Sequence, residues 1–406
     1  MRFQFIHAAD LHIDSPLAAL GLKDARVAAT FAAAGRKAVE QLVEATIDSG
    51  AKFLIVAGDV FDGDWRDVST GLFFAKQLGR LHRAGVRTFL IKGNHDALSK
   101  IPQDLPYPQS VHVFDARKGQ TQTLEDLRVA IHGRSFPDRV APPDFVAGYA
   151  ARRDGWLNIG VLHTSLEGSA AHSPYAPCTV GDLARFGYDY WALGHIHQAA
   201  VIARDPWIVY PGNVQGRNPR ETGPKGAMLV TVEEGRIVAV DPLPLDGARW
   251  AQIRLDVAGL EDEGAIHQAV RSALFAAHAE AGGLALAVRL TLTGETREQP
   301  QLRARLDQME ADARAIAGEV AHDCWVERLR LETWAPATPL AAEDDASDVA
   351  SLLAACADDP EFRDEIALMA RTLADKAPRE LQDHWTSLSP AEWAERARDL
   401  LLGARA

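Results

Sequence analysis

Cysteine is scarce. Three in 406 residues, Cys178, Cys324 and Cys356, lie far apart with no C-x-x-C spacing. An odd, sparse set cannot lace a disulfide framework and reads as reduced thiols. No run approaches the 18 or more apolar residues of a membrane-spanning helix. The opening Met1-Arg2-Phe3-Gln4-Phe5-Ile6-His7 reaches Asp10 without a charged-then-apolar leader. The expectation is a cytoplasmic protein with no membrane association. A basic excess is also missing. The net charge is −13, with 27 Lys+Arg against 27 Asp+Glu in residues 1–250 and 16 against 29 in residues 251–406. The whole deficit therefore sits in the C-terminal part, which is ill suited to gripping a phosphate backbone. Composition alone gives no sign of nucleic-acid binding, and there is no internal repeat or low-complexity tract.

What is present is ordinary globular material, 47% hydrophobic and 24% charged, long enough for two or three domains. Short apolar runs alternate with amphipathic segments. Phe3–His7, Lys52–Val56 and Arg87–Ile91 read as strands. Ala34–Ser49 and Ser69–Ala84 read as the helices between them, the first ended by Gly50. This β-α-β-α-β opening implies a parallel or mixed sheet with right-handed crossovers. Further strands are expected at Val111–Phe114, Val129–Gly133, Leu157–Leu162, Trp191–Leu193 and Ile208–Tyr210. A hairpin at Ala227–Val232 and Arg236–Val240 follows, turning at Glu234-Gly235. A boundary near Asp246-Gly247 closes a first domain, 1–246. Residues 247–334 read as a small α/β cap with strands at Trp250–Val257, Leu284–Leu292 and Trp325–Glu332 and helices at Glu261–Ala281 and Gln301–Ala317. A Pro-, Ala- and acid-rich linker spans 335–348. An acidic C-terminal segment, 349–406, carries apolar residues at helical spacing, enough for three short helices.

Five segments carry chemistry, and each follows an expected strand: Asp10-Leu11-His12, Gly58-Asp59-Val60-Phe61-Asp62, Gly93-Asn94-His95-Asp96, His163 after Leu162, and Gly194-His195-Ile196-His197. In an open α/β sheet the crevice outside the carboxyl ends of the strands is where sites form, so loops spread over nearly 190 residues should converge. Carboxylate, imidazole and amide oxygen are what a hard or borderline divalent cation takes. Alternation along an extended segment sends both side chains of D-x-H and H-x-H to the same side. Seven such polar residues at strand ends would be costly to desolvate with no ion to hold. The remaining histidines read as ordinary interior or surface residues; of these, His132 and His172 are the two that could line the cleft.

The order D-x-H, G-D-x-x-D, G-N-H-D, a lone His and G-H-x-H resembles the calcineurin-like metallophosphoesterases, with no ligand lost, over roughly the first 200 residues. The resemblance implies an α/β fold of the two-sheet sandwich kind, bearing the small α/β cap and the helical C-terminal tail. It implies two divalent cations, most readily Mn(2+). The first would be held by Asp10, His12, Asp59 and His197, the second by Asp59, Asn94, His163 and His195, with Asp59 as the bridge. Such pairs clamp the attacking and leaving oxygens of an in-line displacement. His95 would face the phosphate as the general acid, with Asp62 orienting it and raising its pKa. Asp96 would turn away and anchor the loop.

Finer features narrow the resemblance. His7 to Leu17 and Tyr210-Pro211-Gly212-Asn213-Val214-Gln215-Gly216-Arg217-Asn218-Pro219-Arg220-Glu221 are similar to SbcD-type DNA exonucleases, especially their YhaO-like branch. That implies DNA as substrate in a repair complex, an SMC-like ATPase (SbcC-like) as partner, and pairing into a homodimer through the phosphoesterase domain. One departure stands out: many nucleases of the wider family carry histidine where this chain has Asp62. Arg134, Arg204, Arg217, Arg220 and Lys225 lie near the expected site. Of these, Arg217 and Arg220 are the candidates for phosphate contact, against the plainer reading of a solvated basic turn. The acidic tail reads as a docking element for the ATPase, as a bundle packed on the cap, or as a DNA mimic or autoinhibitory element. Two other functions remain open: a nucleotide or small-molecule phosphodiesterase, and an assembly module of an SMC-like ATPase complex with a vestigial site.

Overall fold

A computed structural model describes residues 1–15, 25–62, 68–98, 105, 107–138, 140–142, 145–166, 176, 178–260, 262–336, 359–376, 389 and 392–393. The chain forms two compact units. One comprises residues 1–254, 270–291 and 310–330; the other comprises 255–269, 292–309 and 331–406.

The first unit is built on two six-stranded sheets. In the first, β1 (Arg2–Ala8), β2 (Phe53–Ala57), β3 (Arg87–Ile91) and β4 (Val111–Val113) run parallel. The hairpin β11 (Gly226–Glu233) and β12 (Arg236–Pro244) joins antiparallel to β1. The second is ordered β5 (Gln120–Leu124), β6 (Val129–Gly133), β7 (Leu157–His163), β8 (Tyr190–Gly194), β10 (Trp207–Tyr210), β9 (Ala200–Arg204), with β6, β7, β8 and β10 parallel.

Side-chain alternation explains the layering. In β2, Phe53, Ile55 and Ala57 enter one core with Phe5, Phe89, Ile159, Val161, Tyr190 and Val230, drawn from both sheets. Leu54 and Val56 face the other way, into a core with Val39 and Leu42 of α1 (Ala25–Asp48) and Phe74, Leu78 and Leu81 of α2 (Val68–Arg83). Strands buried on both faces need continuous apolar runs, and β2 reads Phe-Leu-Ile-Val-Ala. Phe5 and Phe53 stack with centroids 4.8 Å apart across β1 and β2, and Tyr190 meets Phe5 edge-on at 5.6 Å from the opposite sheet. The two-sheet sandwich is thus present.

Several elements differ from expectation. Helix α1 begins at Ala25, well before Ala34. Its alanine-rich start has high helix propensity, and Val27, Phe31 and Ala34 are buried with Ala248, Trp250 and Ala287. β5 and β9 were not anticipated: Gln-Thr-Gln-Thr-Leu is too polar to announce itself, and both are edge strands. Two short helices, α3 (Asn94–Leu98) and α4 (Val180–Arg185), also lie outside the expected set.

Residues 248–334 contribute β13 (Ala248–Asp256), α5 (Glu263–Glu280), β14 (Ala285–Glu295), α6 (Gln299–Ala304), α7 (Leu306–Val320) and β15 (Cys324–Trp334), with the strands in a sheet ordered β13-β14-β15. The single helix expected over Gln301–Ala317 is two, interrupted at Arg305, whose φ of −118° leaves the helical region. In the C-terminal segment α8 (Pro360–Lys376) is helical. Of the other two expected tail helices, the one around Leu352-Leu353 lies outside the described residues, as do Leu400, Leu401 and His172, while Trp393 of the third is helical.

Candidate metal centre

The carboxyl ends of β1, β2, β3, β7 and β8 deliver the five motifs to one place, although they belong to two sheets. Asp10, His12, Asp59, Asn94 and His163 are buried. The close approach of strand ends requires particular backbones. A Cβ on Gly194 would lie 2.0 Å from the Ala57 carbonyl oxygen, and one on Gly93 would lie 2.2 Å from Asp59 Oδ1. Asp10, His12, Asp59 and His195 all take positive φ (52°, 40°, 52° and 97°). Side chains seldom adopt that region, and such strain concentrates at functional sites.

Groups of possible ligand atoms result, among them Asp10 with His12 and His197, and Asp59 with His163 and His195. Asp59 links them. Its Oδ1 accepts the His95 backbone N–H at 2.9 Å. Its Oδ2 lies 3.3 Å from His163 Nε2 and 3.8 Å from His12 Nε2. Asn94 Oδ1 is 3.0 Å from His163 Nε2. Both Asp10 oxygens accept the His195 backbone N–H, at 3.2 and 3.0 Å. The seven residues picked from the sequence as ligands are therefore brought together.

The donor set can be tested for whether it fits divalent cations. His163 Nδ1 donates to the Ala57 carbonyl at 2.9 Å, which turns Nε2 towards Asn94 Oδ1 at 3.0 Å and Asp59 Oδ2 at 3.3 Å, the side on which a cation would take its lone pair. His197 Nδ1 donates to Glu221 Oε1 at 2.9 Å, which leaves its Nε2 as a lone pair 3.3 Å from His12 Nε2. Imidazole nitrogens brought this close to carboxylate and amide oxygens in a buried place are the donor set a divalent cation takes. Burial, with Arg217 nearby, pushes the His12 imidazole down to about 3, so it is neutral and ligand-ready. Burial raises the Asp10 carboxyl to about 6, more than His163 and His197 offset. For the coupled pair Asp59 and His163, burial opposes both charges but their mutual attraction wins. His163 is held up to about 9 and Asp59 well below the carboxylate range. A proton shared there stands where a positive ion would be favoured. The residues fit.

At the rim His95 Nδ1 lies 2.7 Å from Asp62 Oδ1, and its side chain is 41% exposed. The hydrogen bond to Asp62 raises its pKa despite partial burial. Asp62 Oδ2 also accepts Ser15 Oγ at 2.5 Å and Arg217 Nη1 at 3.4 Å. Asp62 Oδ1 lies 3.6 Å from His12 Nδ1, beyond hydrogen-bond length. Asp96 accepts the backbone N–H groups of Val60, Phe61 and Gly93 and so anchors the loops. Arg217 is half-buried against Ser15 and Asp62, whereas Arg220 is exposed. Arg134 is tied to the Ala116 and Arg117 carbonyls and stacks on Phe145. Lys225 donates to the His197 carbonyl at 3.0 Å. His132 bonds Thr121 and Asn158 inside the second sheet and does not line the centre. His7 is likewise internal, on Tyr190 and the Leu193 carbonyl. The residue that sequence reasoning missed is Glu221, whose sole signal was its place in the Tyr210–Glu221 segment.

Comparison with known proteins agrees with this geometry. The calcineurin-like phosphoesterase family matches residues 3–199, and the middle domain of metallophosphoesterase YhaO matches residues 250–334. The chain is thus a metallophosphoesterase, a phosphoester hydrolase of a class that binds divalent metal ions. It is 35% identical to metallophosphoesterase YhaO of Bacillus subtilis (strain 168) over 298 residues, 72% of each protein, and it belongs to the YhaO family. The DNA double-strand break repair protein Mre11 of Methanopyrus kandleri is 25% identical over 301 residues, covering 65% of this chain and 62% of that protein. A dimetal phosphatase from Danio rerio aligns over 60% of this chain and 98% of its own with 12% identity and a TM-score of 0.36, too distant to speak for the site. Among the described residues no helix is long and apolar enough to cross a membrane.

Proposed function

We propose that this chain hydrolyses phosphodiester bonds in DNA, using two divalent cations, most readily manganese. The observation that carries the reading is the position of Asp59 Oδ2 between His12 Nε2 and His163 Nε2, with the His95–Asp62 pair beside it. In this reading Asp10, His12, Asp59 and His197 would hold one ion and Asp59, Asn94, His163 and His195 the other. When bound, the pair supplies Lewis-acid stabilisation and an activated water.

The chain's own residues do the rest. The hydrogen bond to Asp62 favours the protonated form of His95. Its Nδ1 is committed to that carboxylate, so Nε2 is the atom able to hand a proton to the leaving oxygen. Asp62 is held below the ordinary carboxylate range because its hydrogen bonds with His95 and Ser15, with the His12 ring close by, outweigh its burial. Arg217, beside Asp62, adds positive charge on the same side. We assign it to steering the phosphate, with the exposed Arg220 as an outer contact.

The choice of DNA leans on the Mre11 relatives. With equal acid and base counts in residues 1–250, DNA affinity of the chain alone should be modest and salt-sensitive. A partner supplying most of the grip, an SMC-like ATPase, fits that balance. Manganese with an end-labelled duplex, read on a gel beside His95→Ala, tests the proposal. Products that vanish in the variant support it. Hydrolysis of bis-p-nitrophenyl phosphate without DNA cleavage, even with an ATPase partner added, sinks the DNA assignment in favour of a small phosphodiester.

A further inference from the structure

We infer that Glu221 is a positioning residue for the centre, acting through His197 and Arg217. The inference rests on the two-cation reading above. Glu221 is 8% exposed, and four donors saturate its two oxygens. Oε1 accepts His197 Nδ1 at 2.9 Å and Asn218 Nδ2 at 2.7 Å. Oε2 accepts Asn213 Nδ2 at 2.8 Å and the Arg217 backbone N–H at 2.7 Å. A carboxylate alone satisfies this arrangement, because it offers acceptors and no donor. An amide at the same place would turn an N–H₂ group towards two donors.

The consequence for His197 is a choice of tautomer. With Nδ1–H donating to Glu221, the imidazole presents Nε2 to the Asp10 and His12 side as a lone pair. Lys225 Nζ, 3.0 Å from the His197 carbonyl, holds the main chain of the same residue. His197 is thus clamped at ring and backbone. The side chain needs this more than its counterparts do: it is 24% exposed, whereas those of His12 and His163 are 1% and 0% exposed and are held by packing. The other oxygen of Glu221 fixes the Arg217 backbone, and the Arg217 guanidinium reaches Ser15 and Asp62. One carboxylate therefore sets a ligand on one side of the centre and a cation beside the acid on the other.

The test is manganese binding by calorimetry and by electron paramagnetic resonance on the full chain stripped with chelator. We compare wild type, Glu221→Gln, His197→Asn and the double variant. Wild type should bind two ions. Glu221→Gln should keep one at wild-type affinity and bind the second about 10–100-fold more weakly. At two equivalents the coupled two-ion spectrum should give way to an isolated-ion signal. In the His197→Asn background the same substitution should add nothing. Two tight ions in Glu221→Gln, or a loss that adds in full to that of His197→Asn, would overturn the inference. If Glu221→Gln does not fold, Asn218→Ala removes one of the four donors and spares the His197 contact. It should weaken the same ion by a smaller factor, and unchanged binding would count against the role. A wild type that binds fewer than two ions refutes the two-cation reading itself, a result distinct from failure of Glu221 alone.

Discussion

Replacing Asp62 by Asn removes one negative charge from beside His95 and keeps the shape. The Nδ1–Oδ1 contact is 2.7 Å, with the Asp62 side chain 19% exposed and that of His95 41% exposed. Two unit charges 4 Å apart attract by about 1 kcal/mol under water-like screening and about 4 kcal/mol under the screening of a protein surface. Exposure of the imidazole pulls the value to the lower end, to about 1–2 kcal/mol. At 1.4 kcal/mol per decade that is roughly a 5–30-fold loss in kcat/KM near neutral pH. His95→Ala, which deletes the acid, should lose about 10²–10⁴-fold. The sign of the pH effect follows from the direction of the shift. Asp62 raises the His95 pKa, so the protonated acid persists to higher pH and activity fades as pH climbs through the raised value. In Asp62→Asn that alkaline limb should move to lower pH. The assay is hydrolysis of bis-p-nitrophenyl phosphate with manganese across pH. An alkaline limb that stays in place while activity falls would refute the role given to the pair.

Asp59→Asn, which neutralises the oxygen shared by both ligand groups, should abolish hydrolysis and cut manganese stoichiometry below two, measured by calorimetry. Stripping metal should lower the thermal midpoint, since ligand at 100 times its dissociation constant adds about 2.7 kcal/mol; an unchanged midpoint on re-adding manganese would contradict the ligand set. Trp250→Ala should cost about 3–5 kcal/mol in denaturant unfolding, because Trp250 packs at 4.8 Å on Phe31 and donates to the Gly216 carbonyl. Burial depresses His7 to about 3, so its contribution to stability is full above its unfolded value of about 6.5 and drains away as pH falls towards 3. Acid titration of the unfolding midpoint checks this.

The centre was legible because its signals are local. Each motif is a few residues at a strand end, and the fold only has to bring strand ends together, which parallel sheets do by construction. Boundaries of β3 and β6 were equally plain, since apolar runs are bracketed by polar turns. Legibility failed where structure depends on distant partners. The start of α1 is alanine-rich, and it is settled by Trp250 and Ala287. β5 and β9 owe their existence to neighbours β6 and β10 and not to any pattern of their own. Glu221 could not be assigned because its partner His197 lies 24 residues away. Arg217 looked like a free phosphate contact, and the reach to Ser15 and Asp62 became visible once loops separated by 155 and 202 residues were adjacent.

The segment that carries Glu221 is also stitched to the chain beyond residue 246. Gln215 bonds the backbone of Gly247 and Ala248, and Trp250 Nε1 reaches the Gly216 carbonyl. Anyone dividing this protein for study would be drawn to cut at Asp246-Gly247. A fragment ending there would strand the Gln215 amide and slacken the loop on which His197 depends, and it could appear inactive for reasons unrelated to chemistry. A fragment carried to Arg254 keeps the stitches.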